Sequence, residues 1–128
     1  MTQEGARRDR GERLPLSTRD RLVGAWTLAS LAEDGGEAAE GAEGLALYTP
    51  DGHVAVQVTR AGGEGGALAG PCELDEDGGS ITQRVSRVVA VGAADGLGDG
   101  VLELADDELV LTAPSGTRLV WRRARPEV

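Results

Sequence analysis

The chain has no phenylalanine, lysine or asparagine, and its only aromatic residues are Trp26, Tyr48 and Trp121. Without lysine, the protein cannot form a Schiff base with a substrate. The apolar mass comes instead from valine, leucine and alanine, interrupted by 20 glycines. The 128 residues are enough for one domain that buries roughly two-thirds of its unfolded surface.

Cysteine and histidine each occur once in the chain. Cys72 cannot form an internal disulfide, which favours a reducing, cytoplasmic location. It follows Pro71 without a basic neighbour in the sequence, so a nucleophilic thiolate is not expected. His53 lies beside a predicted turn, where a solvated side chain is favoured over a general base, and a lone histidine supports no zinc site. We therefore predict no metal and no other cofactor.

Basic charge is scarce, and the formal net charge of −9 argues against a nucleic-acid partner. No run approaches the ~18 apolar residues of a membrane-spanning helix. Residues 1–18 are polar, charged and aperiodic, which predicts a disordered tail, although Thr18–Leu22 is compatible with a short capped helical turn. The predicted barrel domain covers residues 19–124, and residues 125–128 form a second tail.

What the chain does contain is a series of short alternating apolar runs, separated by turn sequences. The clearest pair is joined by Thr49-Pro50-Asp51-Gly52, which is typical of a tight hairpin because proline presets φ and glycine accepts a positive φ. The acidic groups Asp75–Asp77 and Asp106–Glu108 are predicted to lie in solvated turns. The predicted strands begin with one that contains Trp26 and continue with the hairpin at 45–60 and with 68–74, 80–91, 101–105, 109–113 and 118–123.

This pattern predicts an all-β fold of eight antiparallel strands in an up-and-down barrel, because no long crossover connection is available and closure removes exposed strand edges. In the hairpin, Tyr48 shares one face with alternate valines, and we place that face inside. The predicted lining of the interior consists of Val54, Val56, Val58, Val85, Leu102, Leu104, Leu119 and Trp121.

With the strands placed, the chain resembles the bacterial lipocalin-like domain family of small calycin-type barrels. The similarity extends over about residues 21–123. It is carried by segments 22–30 (LVGAWTLAS), 47–57 (LYTPDGHVAVQ), 69–75, 107–112 (DELVLT) and 116–121 (GTRLVW). The resemblance implies that Trp26 closes one end of the barrel, with Arg122 or Arg123 stacked across its ring. The chain departs from the family at Gln83-Arg84, where adjacent histidines are usual, so the chemistry of those histidines cannot be transferred.

The barrel interior is the predicted binding site. Barrel width is set by strand number and shear, so a lining of small side chains leaves space for a ligand, for loops or for a partner subunit. We predict a pocket for a hydrophobic or amphipathic small molecule, oriented by Tyr48, Gln83 and Arg87 as candidate catalytic residues. A one-residue shift in register would exchange Gln83 with Arg84.

Three functions are compatible with such a barrel. The favoured one is a cofactor-independent cyclase or isomerase of bacterial natural-product biosynthesis, acting on a polyketide-like substrate by preorganisation, since positioning alone lowers a barrier by several kcal/mol. The second is a carrier or sequestering protein for a hydrophobic metabolite. The third is a structural module, a homodimer whose barrel is filled by its own loops.

Overall fold

The fold is an antiparallel β-barrel with one short helix at its end. The computed structural model describes residues 17–33, 36–63, 65–92, 94 and 96–124. The predicted tails lie outside these residues, apart from Ser17 and Thr18. The elements are α1 (Thr18–Leu22), β1 (Gly24–Ala32), β2 (Glu43–Tyr48), β3 (His53–Thr59), β4 (Gly65–Asp77), β5 (Ser80–Val85), β6 (Val89–Gly92), β7 (Gly100–Leu104), β8 (Glu108–Thr112) and β9 (Arg118–Arg123).

Eight of these nine strands close the barrel, which confirms the predicted fold class. The barrel strands pair in chain order, with β5 paired to β7 because β6 lies outside the ring. The pairing of β9 with β1 closes the barrel. The strand β6 stands outside the ring and pairs with the first half of β4. No helix in the described part of the chain is both long and apolar enough to cross a membrane.

The β2–β3 hairpin folds as its turn sequence predicts. The backbone N–H of Gly52 donates to the carbonyl of Thr49 at 3.1 Å, and Gly52 has φ of +89°. This arrangement places Tyr48 and the alternate valines of β3 on the inner face, where all are buried. His53 lies on the outer face, exposed and 3.2 Å from Asp51, in agreement with the solvated side chain expected there.

The acidic group Asp75–Asp77 is not in a turn, contrary to the prediction. These three residues belong to β4 and pair with the start of β5, while the turn itself is formed by Gly78 and Gly79 at positive φ. The sequence Gly78-Gly79 provides two residues with positive φ, which is sufficient for a two-residue hairpin, so the strand continues through the acids.

The predicted single strand over residues 80–91 is divided into β5 and β6 by a bulge at residues 86–88. The backbone N–H groups of Ser86 and Val88 still bond to β4, at the carbonyls of Pro71 and Ala69. The bulge requires Gly70, because a Cβ there would lie 1.7 Å from the carbonyl oxygen of Ser86. An extra residue in one strand reverses the side-chain alternation beyond it. Val89, which strict alternation from Gln83 would place on the inner face, therefore faces outward and is 56% exposed.

The helix α1 closes one end of the barrel and begins one residue before the predicted domain boundary. The Ser17 hydroxyl caps it by accepting a hydrogen bond from the backbone N–H of Asp20. Leu22 is buried, and its carbonyl accepts the indole N–H of Trp26 at 2.9 Å. The helix and the first strand are thus joined by a buried hydrogen bond at the base of the core.

Candidate functional site

The closed end of the barrel contains the arrangement that the resemblance implied. The guanidinium of Arg123 lies 4.2 Å from the centroid of the Trp26 ring and donates to the backbone carbonyls of Val23 and Arg21. Arg122, the other candidate, points outward and lies 3.7 Å from Glu108. Cation–π stacking and the hydrogen bonds hold this end together, so we assign it a structural role.

The interior of the barrel contains a small polar cluster. The hydroxyl of Tyr48 donates to Oε1 of Gln83 at 2.7 Å, and the thiol of Cys72 lies 3.4 Å from the same oxygen. The Gln83 amide nitrogen donates to the carbonyl of Gly98 at 2.6 Å. Gln83 is only 1% exposed, so its amide obtains its hydrogen bonds from the protein itself.

Burial keeps both ionisable members of this cluster neutral. Desolvation raises the pKa of Tyr48 well above its usual value, and the nearby Cys72 raises it further, while the hydrogen bond that Tyr48 shares with Gln83 opposes the shift. Desolvation also raises the pKa of Cys72 to about 11. Arg19, which the sequence did not place beside Cys72, opposes that shift and donates to its backbone carbonyl. At neutral pH the cluster offers hydrogen bonds but no charge.

The eight predicted lining residues do face the interior. Seven of them are buried, and Leu104 is partly buried, but they pack against one another in one continuous core. The β6–β7 loop adds to this core, because Ala94 and Leu97 are 5% and 4% exposed. The loop backbone is equally close: a Cβ on Gly98 would lie 3.1 Å from Val85. Residues of this loop thus fill space in the barrel interior, where a ligand, loops or a partner subunit were expected.

The position of this loop follows from a short seam between β5 and β7. These strands pair over only three positions, from Ile81 opposite Leu102 to Gln83 opposite Gly100. Beyond Gln83, the carboxylate of Asp99 accepts the backbone N–H of Val85 at 2.8 Å. That side chain supplies the hydrogen bond that a neighbouring strand would otherwise provide. The sequence shows an Ala/Gly/Asp loop here but does not show that it enters the core.

An open cleft of about 660 Å³ lies at this seam. On the outer face, Val101 of β7 pairs with Thr82 of β5 on one side and with Thr112 of β8 on the other. These three residues form one row of the cleft wall. Gln83 borders the cleft and also belongs to the interior cluster, so the cleft and the core meet at this residue. The remaining lining residues are Arg84, Asp99, Gly100, Ala113 and Pro114.

Arg84 is the one basic residue of this cleft. It is exposed, and it makes no ion pair within the part of the chain that the structure describes. Apolar surface from the exposed residues Val101 and Pro114 lies in the same cleft. A cleft of several hundred Å³ with an apolar wall and a few polar groups is the usual form of a small-molecule site.

The three candidate catalytic residues do not converge. Tyr48 and Gln83 are hydrogen-bonded to each other, but Arg87 is exposed in the bulge, because the extra residue there changes the alternation that placed it beside Gln83. The residues described contain no group of three or more His, Cys, Asp or Glu side chains suited to a metal. The cleft residues Asp99, Thr112 and Pro114 were not predicted, since nothing in the sequence shows that β5 and β7 separate beyond Gln83.

Comparison of the chain with family models, curated proteins and solved structures returns no match. The resemblance to lipocalin-like domains stays a prediction.

Proposed function

We propose that this protein binds a small amphipathic molecule in the cleft at the β5–β7 seam, without converting it chemically. The observation that carries the proposal is an exposed arginine with no ion pair among the described residues, beside apolar wall residues, in a cleft of about 660 Å³. The apolar part of the ligand would lie against Val101 and Pro114. Its polar end would lie at Arg84.

An anionic head group fits Arg84 best. A guanidinium offers a planar pair of N–H donors that matches a carboxylate or phosphate in bidentate geometry. The carboxylate of Asp99 lies in the same cleft, but one of its oxygens already accepts the Val85 N–H. Arg84 is therefore the group in the cleft available to an anion.

Binding without catalysis follows from the state of the interior cluster. The raised pKa of Tyr48 keeps its hydroxyl protonated, and that proton is donated to Gln83. A general acid or base works best with a pKa near the operating pH, and it must reach the proton that it transfers. Neither condition is met by Tyr48 in this arrangement, which supports the carrier over the cyclase.

A matched pair of probes, decanoate and 1-decanol, tests this assignment by titration followed by NMR. We expect Arg84→Gln to weaken decanoate binding about tenfold, the value of one charge-assisted hydrogen bond, while decanol binding stays unchanged. Arg87→Gln is the control, because Arg87 is exposed on the same chain segment outside the cleft.

A second variant tests the location of the site. Val101→Trp fills the cleft from its exposed wall, and we expect the loss of binding of both probes. Glu103→Trp places the same bulk two residues further along the outer face of β7, and it should bind as the wild type does. Equal binding by Val101→Trp and wild type, or no binding of either probe at millimolar concentration, would refute the proposal.

A further inference from the structure

A second feature of the barrel is an apolar area on its outer face, across β2, β3, β4 and β6. Strand register aligns two rows of four side chains there. We call these eight residues the apolar face. The first row is Leu45, Gln57, Ala67 and Val91, and the second is Leu47, Ala55, Ala69 and Val89.

The apolar face has a defined relief. Leu45 and Leu47 form a ridge along one side, and Val89 and Val91 form a ridge along the other. The three alanines of β3 and β4 form a floor between them, the exposed side chain of Gln57 lies at one end of this floor, and a shallow groove of about 200 Å³ lies over it. All four ridge residues are exposed, from 42% for Leu47 to 60% for Val91.

Such a face departs from the usual pattern of an antiparallel barrel, whose outer side chains are polar. None of the eight positions is charged, although 27% of the chain is. The largest apolar patch on a monomer covers ~300–600 Å² and is often functional, and each ridge residue of this face is at least 42% exposed.

We propose that the occupant of the apolar face is a second copy of this chain, packed sheet against sheet around a two-fold axis. The surface of the apolar face is self-complementary. When the two-fold axis lies to one side of the alanine floor, the leucine ridge of each copy enters the groove of the other. Two sheets that pack in this way interdigitate their side chains at a separation of about 10 Å. A two-fold contact uses the same patch on both subunits, so a single face is sufficient.

Charge also favours this face for self-association. Each copy carries a net charge of −9, so two copies repel over most of their surfaces. The apolar face lets them touch without placing like charges together. Because salt screens the remaining repulsion, the dimer should become tighter as ionic strength rises. An interface built on opposite charges would respond in the other direction.

The test is sedimentation equilibrium of the full chain over a range of concentrations up to about 200 µM and at two salt concentrations. We expect a dimer whose Kd falls as salt rises. Leu47→Arg and Val89→Arg each place a charge at both halves of the interface, and we expect the Kd to increase about a hundredfold or more.

Val101→Arg is the matched control, because Val101 is also a large exposed apolar residue (45%) but lies outside the apolar face, on β7. It should dimerise as the wild type does. Circular dichroism confirms that each variant is folded, which is expected since all three side chains are exposed. A wild-type monomer at 200 µM, or a dimer unaffected by both Leu47→Arg and Val89→Arg, would overturn the proposal. The cleft at the seam would be untouched by either result.

Discussion

Replacement of Gln83 by leucine tests how the β6–β7 loop is held in the core. Leucine has a similar volume but cannot accept the Tyr48 hydroxyl or donate to the Gly98 carbonyl, and both groups are held within the barrel. A buried polar group that loses its partner costs about 1–3 kcal/mol, so the loss of two such partners in Gln83→Leu should cost about 2–6 kcal/mol. That is a large part of the ~5–15 kcal/mol that stabilises a typical domain.

The loss of stability caused by Gln83→Leu should be smaller when the Tyr48 hydroxyl, which this replacement leaves without an acceptor, is removed as well. In the double variant Tyr48→Phe, Gln83→Leu, no Tyr48 hydroxyl is left without a partner, and only the Gly98 carbonyl and the weakly donating Cys72 thiol lose theirs. We therefore expect the double variant to be about 1–2 kcal/mol more stable than the sum of the single effects predicts. Independent sites would show additive effects.

Urea unfolding followed by tryptophan fluorescence measures these differences, and urea is preferable to guanidinium because it does not screen the charge of −9. Hydrogen exchange provides a local measure: Gln83→Leu should speed exchange at residues 96–100 and leave α1 unchanged. A Gln83→Leu protein within about 0.5 kcal/mol of wild type, or strictly additive single effects, would refute the interpretation that this cluster anchors the loop.

Two further outcomes are expected. Arg123→Leu should lower the free energy of unfolding by about 2–3 kcal/mol, because it removes the stacking on Trp26 and leaves two backbone carbonyls without their donor. The control Arg122→Leu should cost less than about 0.5 kcal/mol, and equal losses in urea unfolding would contradict the structural role of Arg123. Burial raises the pKa of Cys72 from its ordinary value of 9.0 to about 11, so the native thiol should react with a disulfide reagent at pH 8 about a hundredfold more slowly than in the unfolded chain. Its contribution to stability should be complete below about pH 9 and lost as pH rises towards 11, and a native rate equal to the unfolded rate would refute this.

Much of the barrel was predictable because local rules act strongly in this chain. Thr49-Pro50-Asp51-Gly52 determines the first hairpin, and the alternation on either side of it places Tyr48 and the valines of β3 inside. The same alternation correctly placed Leu119 and Trp121. The predicted cyclase activity and the lipocalin-like family stay predictions, because the fold by itself assigns neither.

The sequence by itself determined the all-β class, the turn positions and which faces of most strands are buried, since alternation and turn chemistry depend only on near neighbours. Only the tertiary structure decided the bulge at residues 86–88, the entry of Leu97 into the core and the meeting of Arg84 with Val101 and Pro114. Each of these depends on residues far apart in the chain: the bulge needs the close approach of Gly70, and the cleft exists because β5 and β7 separate beyond Gln83. The apolar face likewise becomes continuous only when register aligns four strands.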